Sequence, residues 1–154
     1  AVALMCGAAW LMFFPNAPYL VTDLIHLRND GNQTALWIDV AMFAAFAWMG
    51  CILGIASLWL MHHNVERVFG RVTGWLFAMA SAALGGFGVY LGRVERWNSW
   101  DIATRPFALL ADIASRVLHP MAHSRTLAVS LMFGALMLCM YLTVRAMMDM
   151  RREP

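Results

Sequence analysis

The sequence predicts an all-α protein, a polytopic transmembrane helical bundle, and three observations carry that prediction. Of its 154 residues 62% are hydrophobic and 13% charged, whereas a soluble domain has roughly 45–50% and 25%. The apolar residues fall into runs of about twenty, enough to cross a bilayer as helix. The clearest run is bracketed by Trp37 and Trp59, about 33 Å apart at 1.5 Å per residue, as two interfacial aromatic belts would be. The expected architecture is one helical domain over residues 1–154 with one truncated span, three full spans, a short helix after a proline break and an interfacial amphipathic helix.

Ala1 to Phe14 is apolar but shorter than a span, so it is expected to be the end of one, with further helices upstream. Pro15 and Pro18 interrupt it, because proline lacks a donor and biases its predecessor away from helix. Asn16 is the expected N-cap of a new short helix, on which Tyr19, Thr22, Asp23 and His26 share one polar face. Arg28 to Gln33 reads as a turn.

Ala35 to Met61 is the first full span, with Asp39 just inside one belt, where a carboxylate should face protein or water. Ala47, Gly50, Gly54 and Ser57 form a small-residue stripe along it, and His62 to Arg71 reads as a polar connection. Val72 to Leu91 is the second span, small on one face at Gly74, Ala78, Ser81, Gly85, Gly88 and Gly92. Helices in lipid associate by close approach at small residues, so these two stripes are expected to pack together. Phe107 to His119 reads as an interfacial helix with Leu110, Ile113, Ala114 and Val117 on one face and Asp112, Ser115, Arg116 and His119 on the other, Asp112 and Arg116 at pairing distance. Thr126 to Met147 is the last span.

The polar residues narrow the function classes. A net charge of +2 says nothing about nucleic acid, but with no basic run, no zinc spacing and no aromatic-patterned loop, nucleic-acid binding is set aside. Cys6, Cys51 and Cys139 lie far apart inside apolar runs and read as small core residues. No nucleophile stands beside a base, and Ser99 near Asp101 does not make a triad. Hydrogen-bonding capacity is concentrated in Gly92 to Asp101, directly after a span. Because spans alternate in direction, the Asp23 and His26 stripe, Asp39 and this segment should meet at one membrane face, with His62 and His63 at the other.

Asp23, His26, Asp39 and Asp101 are donors that could suit a transition metal; the competing reading pairs the acids with Arg93 and Arg96, and no metal is assigned. Arg93, Arg96, Trp97, Asn98 and Trp100 could form a pocket for an anionic head group, since arginine's fork binds phosphate bidentately and indoles sit where head group meets acyl chain. The competing reading is an aromatic belt with snorkelling arginines. His62, His63 and Glu66 could hold a metal or an axial cofactor position, against a simpler role at the negative end of a helix dipole.

Pro15-Asn16-Ala17-Pro18-Tyr19, Thr22 to Leu27, Trp37 and Asp39, Tyr90-Leu91-Gly92-Arg93 and Arg96-Trp97-Asn98-Ser99-Trp100-Asp101 stand in the order in which this chain resembles the bacterial membrane proteins grouped as the domain of unknown function 1361 family. The resemblance runs from Pro15 to about Asp112. It implies a multi-pass protein of the bacterial cytoplasmic membrane, longer at its start, and no particular activity or cofactor.

The leading expectation is recognition of a polar or anionic lipid-type head group. Arg93 and Arg96 would hold the anion, Asn98 and Asp101 would orient it, and Asp23 or His26 would serve as acid or base if there is a reaction. Discounting arginines with acidic neighbours, the positive-inside rule puts that face outside. The alternative is an accessory subunit docking on other membrane proteins through its glycine-lined helices. Whether the protein is an enzyme stays open at this stage.

Overall fold

A computed structural model describes residues 2–22, 33–98 and 100–150. Among them the helices are α1 (Val2–Phe13), α2 (Asn16–Tyr19), α3 (Gln33–Phe69), α4 (Arg71–Arg93), α5 (Asp101–Thr104), α6 (Pro106–Leu118) and α7 (Ser124–Met150). Three are long and apolar enough to cross a membrane, over Leu36–Phe69, Arg71–Arg93 and Ser124–Met150. The all-helical, membrane-spanning class is therefore as the sequence predicts.

The expected polar connection between the first two spans is helix instead. His62-His63-Asn64-Val65-Glu66-Arg67-Val68-Phe69 contains neither glycine nor proline, so nothing stops α3 until Gly70, a single-residue link at φ +89°. That left-handed conformation is one glycine adopts without the steric cost of a Cβ. The chain reverses there, and α4 runs back along α3 with Gly74 against the side chains of His62 and Glu66.

The two small-residue stripes do not pack on each other along their length. Gly50 and Gly54 of α3 receive α2, at Ala17, Pro18 and Leu20. On α4, Gly85 faces Phe14 and Met137, Gly88 faces Pro15, and Gly92 faces Tyr19. The proline-broken segment is thus wedged between α3 and α4, and it takes up the surface the two helices were expected to share. A close backbone approach lies elsewhere, where Gly86 of α4 meets the backbone of Ser130 and Gly134 on α7. The core consists of Phe14, Leu58, Ala78, Ala82, Met137 and Tyr141.

Asn16 is not the N-cap of α2. Pro15 holds that place with helical dihedrals, φ −63° and ψ −19°, and no side-chain cap bond is made. Proline's fixed φ suits a helix start as well as a helix stop, which lets α1 turn into α2 within two residues.

Helix α6 is amphipathic, but its charged residues turn inward while Ser115 and His119 stay exposed. Arg116 points at α4 and α7 and Asp112 accepts from Trp97, while Phe107, Leu110, Val117 and Leu118 are exposed.

Candidate functional site

Polar side chains gather where α4 ends and α7 begins. Arg116, whose side chain is 9% exposed, is the hub. Its Nε and Nη2 donate to Asp112 Oδ1 at 3.1 and 2.9 Å. Nη2 also lies 3.0 Å from Glu95 Oε2, and Nη1 donates to the hydroxyls of Tyr90 at 3.0 Å and Thr126 at 3.1 Å. Tyr90 donates to Glu95 Oε1 at 2.8 Å and Trp97 Nε1 to Asp112 Oδ2 at 2.9 Å. Burial pushes the Asp112 carboxyl up, but the bonds from Arg116 and Trp97 outweigh it and hold it below the usual carboxylate range. The same bond to Asp112 raises Arg116. One guanidinium thus ties α6 to both spans.

Asp101 anchors the turn between α4 and α6. Its Oδ2 accepts from the backbone N–H of Asn98 at 2.8 Å, and its Oδ1 accepts from Arg105 Nη2 at 2.9 Å. The Asn98 N–H first, then Arg105, hold its carboxyl below the ordinary range. Arg105 in turn lies over the Trp97 ring, 5.3 Å from its centroid. Of the acids that were expected to pair with Arg93 and Arg96, Asp101 is joined, among the described residues, to Arg105.

Arg93 reaches back to the proline-broken segment. Its Nη2 donates to the Thr22 carbonyl at 2.8 Å and its Nη1 to the Tyr19 hydroxyl at 3.5 Å. It therefore holds the end of α2, where residues 23–32 begin; Asp23 and His26 lie outside the described residues. Arg96 is exposed and takes φ 59°, a conformation uncommon for a residue with a Cβ. The reversal it makes lets the Trp97 N–H reach the Leu91 carbonyl at 3.1 Å. Asn98 and Trp100 are exposed as well. Asp39 is exposed near the start of α3, and no hydrogen bond or ion pair among the described residues joins it to this cluster.

Beside the cluster is a groove of about 460 Å³. Asn16, Tyr19, Trp97 and Asn98 give it a polar end, and Leu11, Met12, Leu84, Phe87, Leu109 and Ile113 are among its apolar walls. Its volume lies within the range of ligand pockets, about 300–1,000 Å³.

The opposite end of the bundle holds a cluster whose partnership the sequence reading missed. His62 is 1% exposed, and its Nδ1 lies 2.6 Å from the Tyr141 hydroxyl. Its Nε2 is 3.5 Å from Glu66 Oε2 and 3.4 Å from Arg145 Nη1. Arg145 lies over Trp75, 4.6 Å from the ring centroid. The signal was present as two i,i+4 pairs, His62 with Glu66 and Tyr141 with Arg145, at helix ends that topology puts at the same face. Among the described residues no group of three or more His, Cys, Asp or Glu could hold a metal.

A hydropathic three-span bundle with its charges confined to the helix ends is an integral membrane protein. The chain belongs to the family described as protein of unknown function (DUF1361), whose family model matches residues 1–140. Comparison with curated proteins and with solved structures returned no match.

Proposed function

We propose that the Arg93 end of the bundle recognises an amphiphile with a polar, lipid-type head group. The groove carries this reading. It places two amides, a phenol and an indole at one end of an apolar trough, the division of chemistry that a head group and an acyl chain require. Arg96, exposed and next in sequence to Trp97 of the groove, supplies positive charge, while Arg105 and Arg116 are taken up by carboxylates. Asp101 acts here by fixing Asn98 rather than by touching ligand. We place the protein in the bacterial cytoplasmic membrane as a multi-pass protein, with this face outward, discounting Arg105 and Arg116 because they are paired with carboxylates.

The test is native mass spectrometry of gently extracted protein, with lipid analysis of the same sample. Retained phospholipid in the wild type, lost in Asn98→Ala combined with Arg96→Gly, is the expected result. Glycine suits the φ of 59° at position 96, so the charge is removed without disturbing the turn. Lipid retained equally by the variant, or a wild-type chain without lipid, would overturn the reading.

A second reading, an accessory subunit, is favoured by a groove between α4 and α7 of about 410 Å³. Its lining includes Ala82, Ala83, Gly134 and Ala135 among larger apolar residues, together with Ser130, whose buried Oγ has no hydrogen-bond partner among the described residues. Small residues with one polar group are what a transmembrane helix packs against. Extraction of the chain only within a larger assembly, without lipid of its own, would favour it.

A further inference from the structure

Helix α6 carries its charge on the inside and an apolar stripe on the outside, with Ser115 and His119 exposed beside that stripe. Phe107, Leu110, Ala114, Val117 and Leu118 recur at helical spacing, and all are exposed. Phe107 is 85% and Leu118 72% exposed. Trp100 before the helix and Met121 after it extend the same apolar character, at 82% and 87%. A helix lying against water would show the reverse pattern, with its charged face outward. The inward polar groups are mutually satisfied: Arg116 by Asp112, Glu95, Tyr90 and Thr126, and Asp112 also by Trp97.

The depth of α6 follows from the same bonds. Tyr90 lies in the last turn of α4 and Thr126 in the first turn of α7, so Arg116 fixes α6 level with the ends of two spans. Its apolar stripe thereby continues the exposed apolar surface that those spans present at Leu84, Leu127 and Leu131.

We propose that α6 is embedded in one leaflet of the bilayer and that its outer stripe is a surface for lipid acyl chains, with Trp100 as an interfacial anchor. The segment between the second and third spans is then a membrane-inserted paddle latched to the bundle by Arg116, and not a water-facing loop. This surface is separate from the head-group groove and does not depend on it.

The test is a set of single cysteines at positions 107, 110, 114 and 118, with position 105 as a polar reference, in the full chain after Cys6, Cys51 and Cys139 are replaced by alanine. Each is spin-labelled in phosphatidylglycerol/phosphatidylethanolamine vesicles, and its collisions with oxygen and with a water-soluble nickel chelate are compared. Oxygen collisions exceeding nickel collisions at all four stripe positions, with the opposite order at 105, is the expected result. Nickel access at the stripe would mean that α6 faces water, and loss of access to both reagents would mean that a second copy or another protein covers it. Either result overturns the proposal. The substituted positions are all exposed, so labelling leaves the core untouched.

Discussion

Replacing Arg116 with methionine tests whether one guanidinium holds α6 to the bundle. The substitution keeps an unbranched apolar stem, so the expected loss comes from the charge and its bonds. Two carboxylates lose their cation: Asp112, 25% exposed, and Glu95, 28% exposed. Breaking a fully buried ion pair by removing one partner costs about 3–5 kcal/mol. Water reaches a quarter of each carboxylate here, and Trp97 and Tyr90 still donate to them, so part of that cost is recovered. About 2–3 kcal/mol of destabilisation is expected, or a factor of roughly 30–150 in the folding equilibrium. The triple variant Arg116→Met, Glu95→Gln, Asp112→Asn should recover about half of it, because no unpaired charge is left. Unfolding in mixed micelles, followed by tryptophan fluorescence and circular dichroism, gives both numbers. A change below about 0.5 kcal/mol in the single variant, the range of an ordinary surface substitution, would refute the latch. A triple variant as unstable as the single one would show that lost contacts, and not stranded charge, set the cost.

Gly86→Ala should destabilise by about 1–3 kcal/mol, because the new methyl would fall on the Ser130 carbonyl oxygen and lie 2.6 Å from the Gly134 nitrogen; Gly7→Ala, with nothing within 4 Å, should be neutral or mildly stabilising in the same thermal assay. Tyr141→Phe leaves the buried His62 Nδ1 without its partner and should cost about 1–2 kcal/mol; an unchanged melting temperature would deny that this bond ties α3 to α7. Acid should loosen the Arg93 end. Asp101 and Asp112 titrate below their usual values in the folded protein, so their stabilisation is fully present above the unfolded carboxylate pKa of about 3.9 and is lost as pH falls through the lower folded values. A pH series of melting temperatures between 3 and 7 should be flat at the upper end and drop at the lower, and Asp101→Asn with Asp112→Asn should shrink the drop.

Lipid constrains composition strongly enough that the three spans could be read from runs of apolar residues, and the i,i+4 spacing of Asp112 and Arg116 foretold their pair. Partnership across helices was harder to read. Gly74, Gly85, Gly88 and Gly92 were legible as a face that accepts something close, but small residues specify closeness and not identity. The occupants proved to be His62 and Glu66, Phe14, Pro15 and Tyr19, and the rigid turn around Pro15 that makes the last three available cannot be counted from periodicity. Gly86 lies one residue off the expected stripe, so its close approach to α7 was invisible to a single-face reading.

The orientation of α6 shows a second limit. An amphipathic pattern says that a helix has two faces and leaves open which medium each one meets. In a soluble protein the charged face goes outward because water is outside. At a bilayer the outside is hydrocarbon, and charge is accommodated where other charge can satisfy it. Asp112 and Arg116 face inward, where Glu95, Tyr90, Trp97 and Thr126 satisfy them near the ends of two spans. The charged residues that looked like a water-facing edge, Asp112 and Arg116, are therefore what fastens α6 to the ends of the two spans.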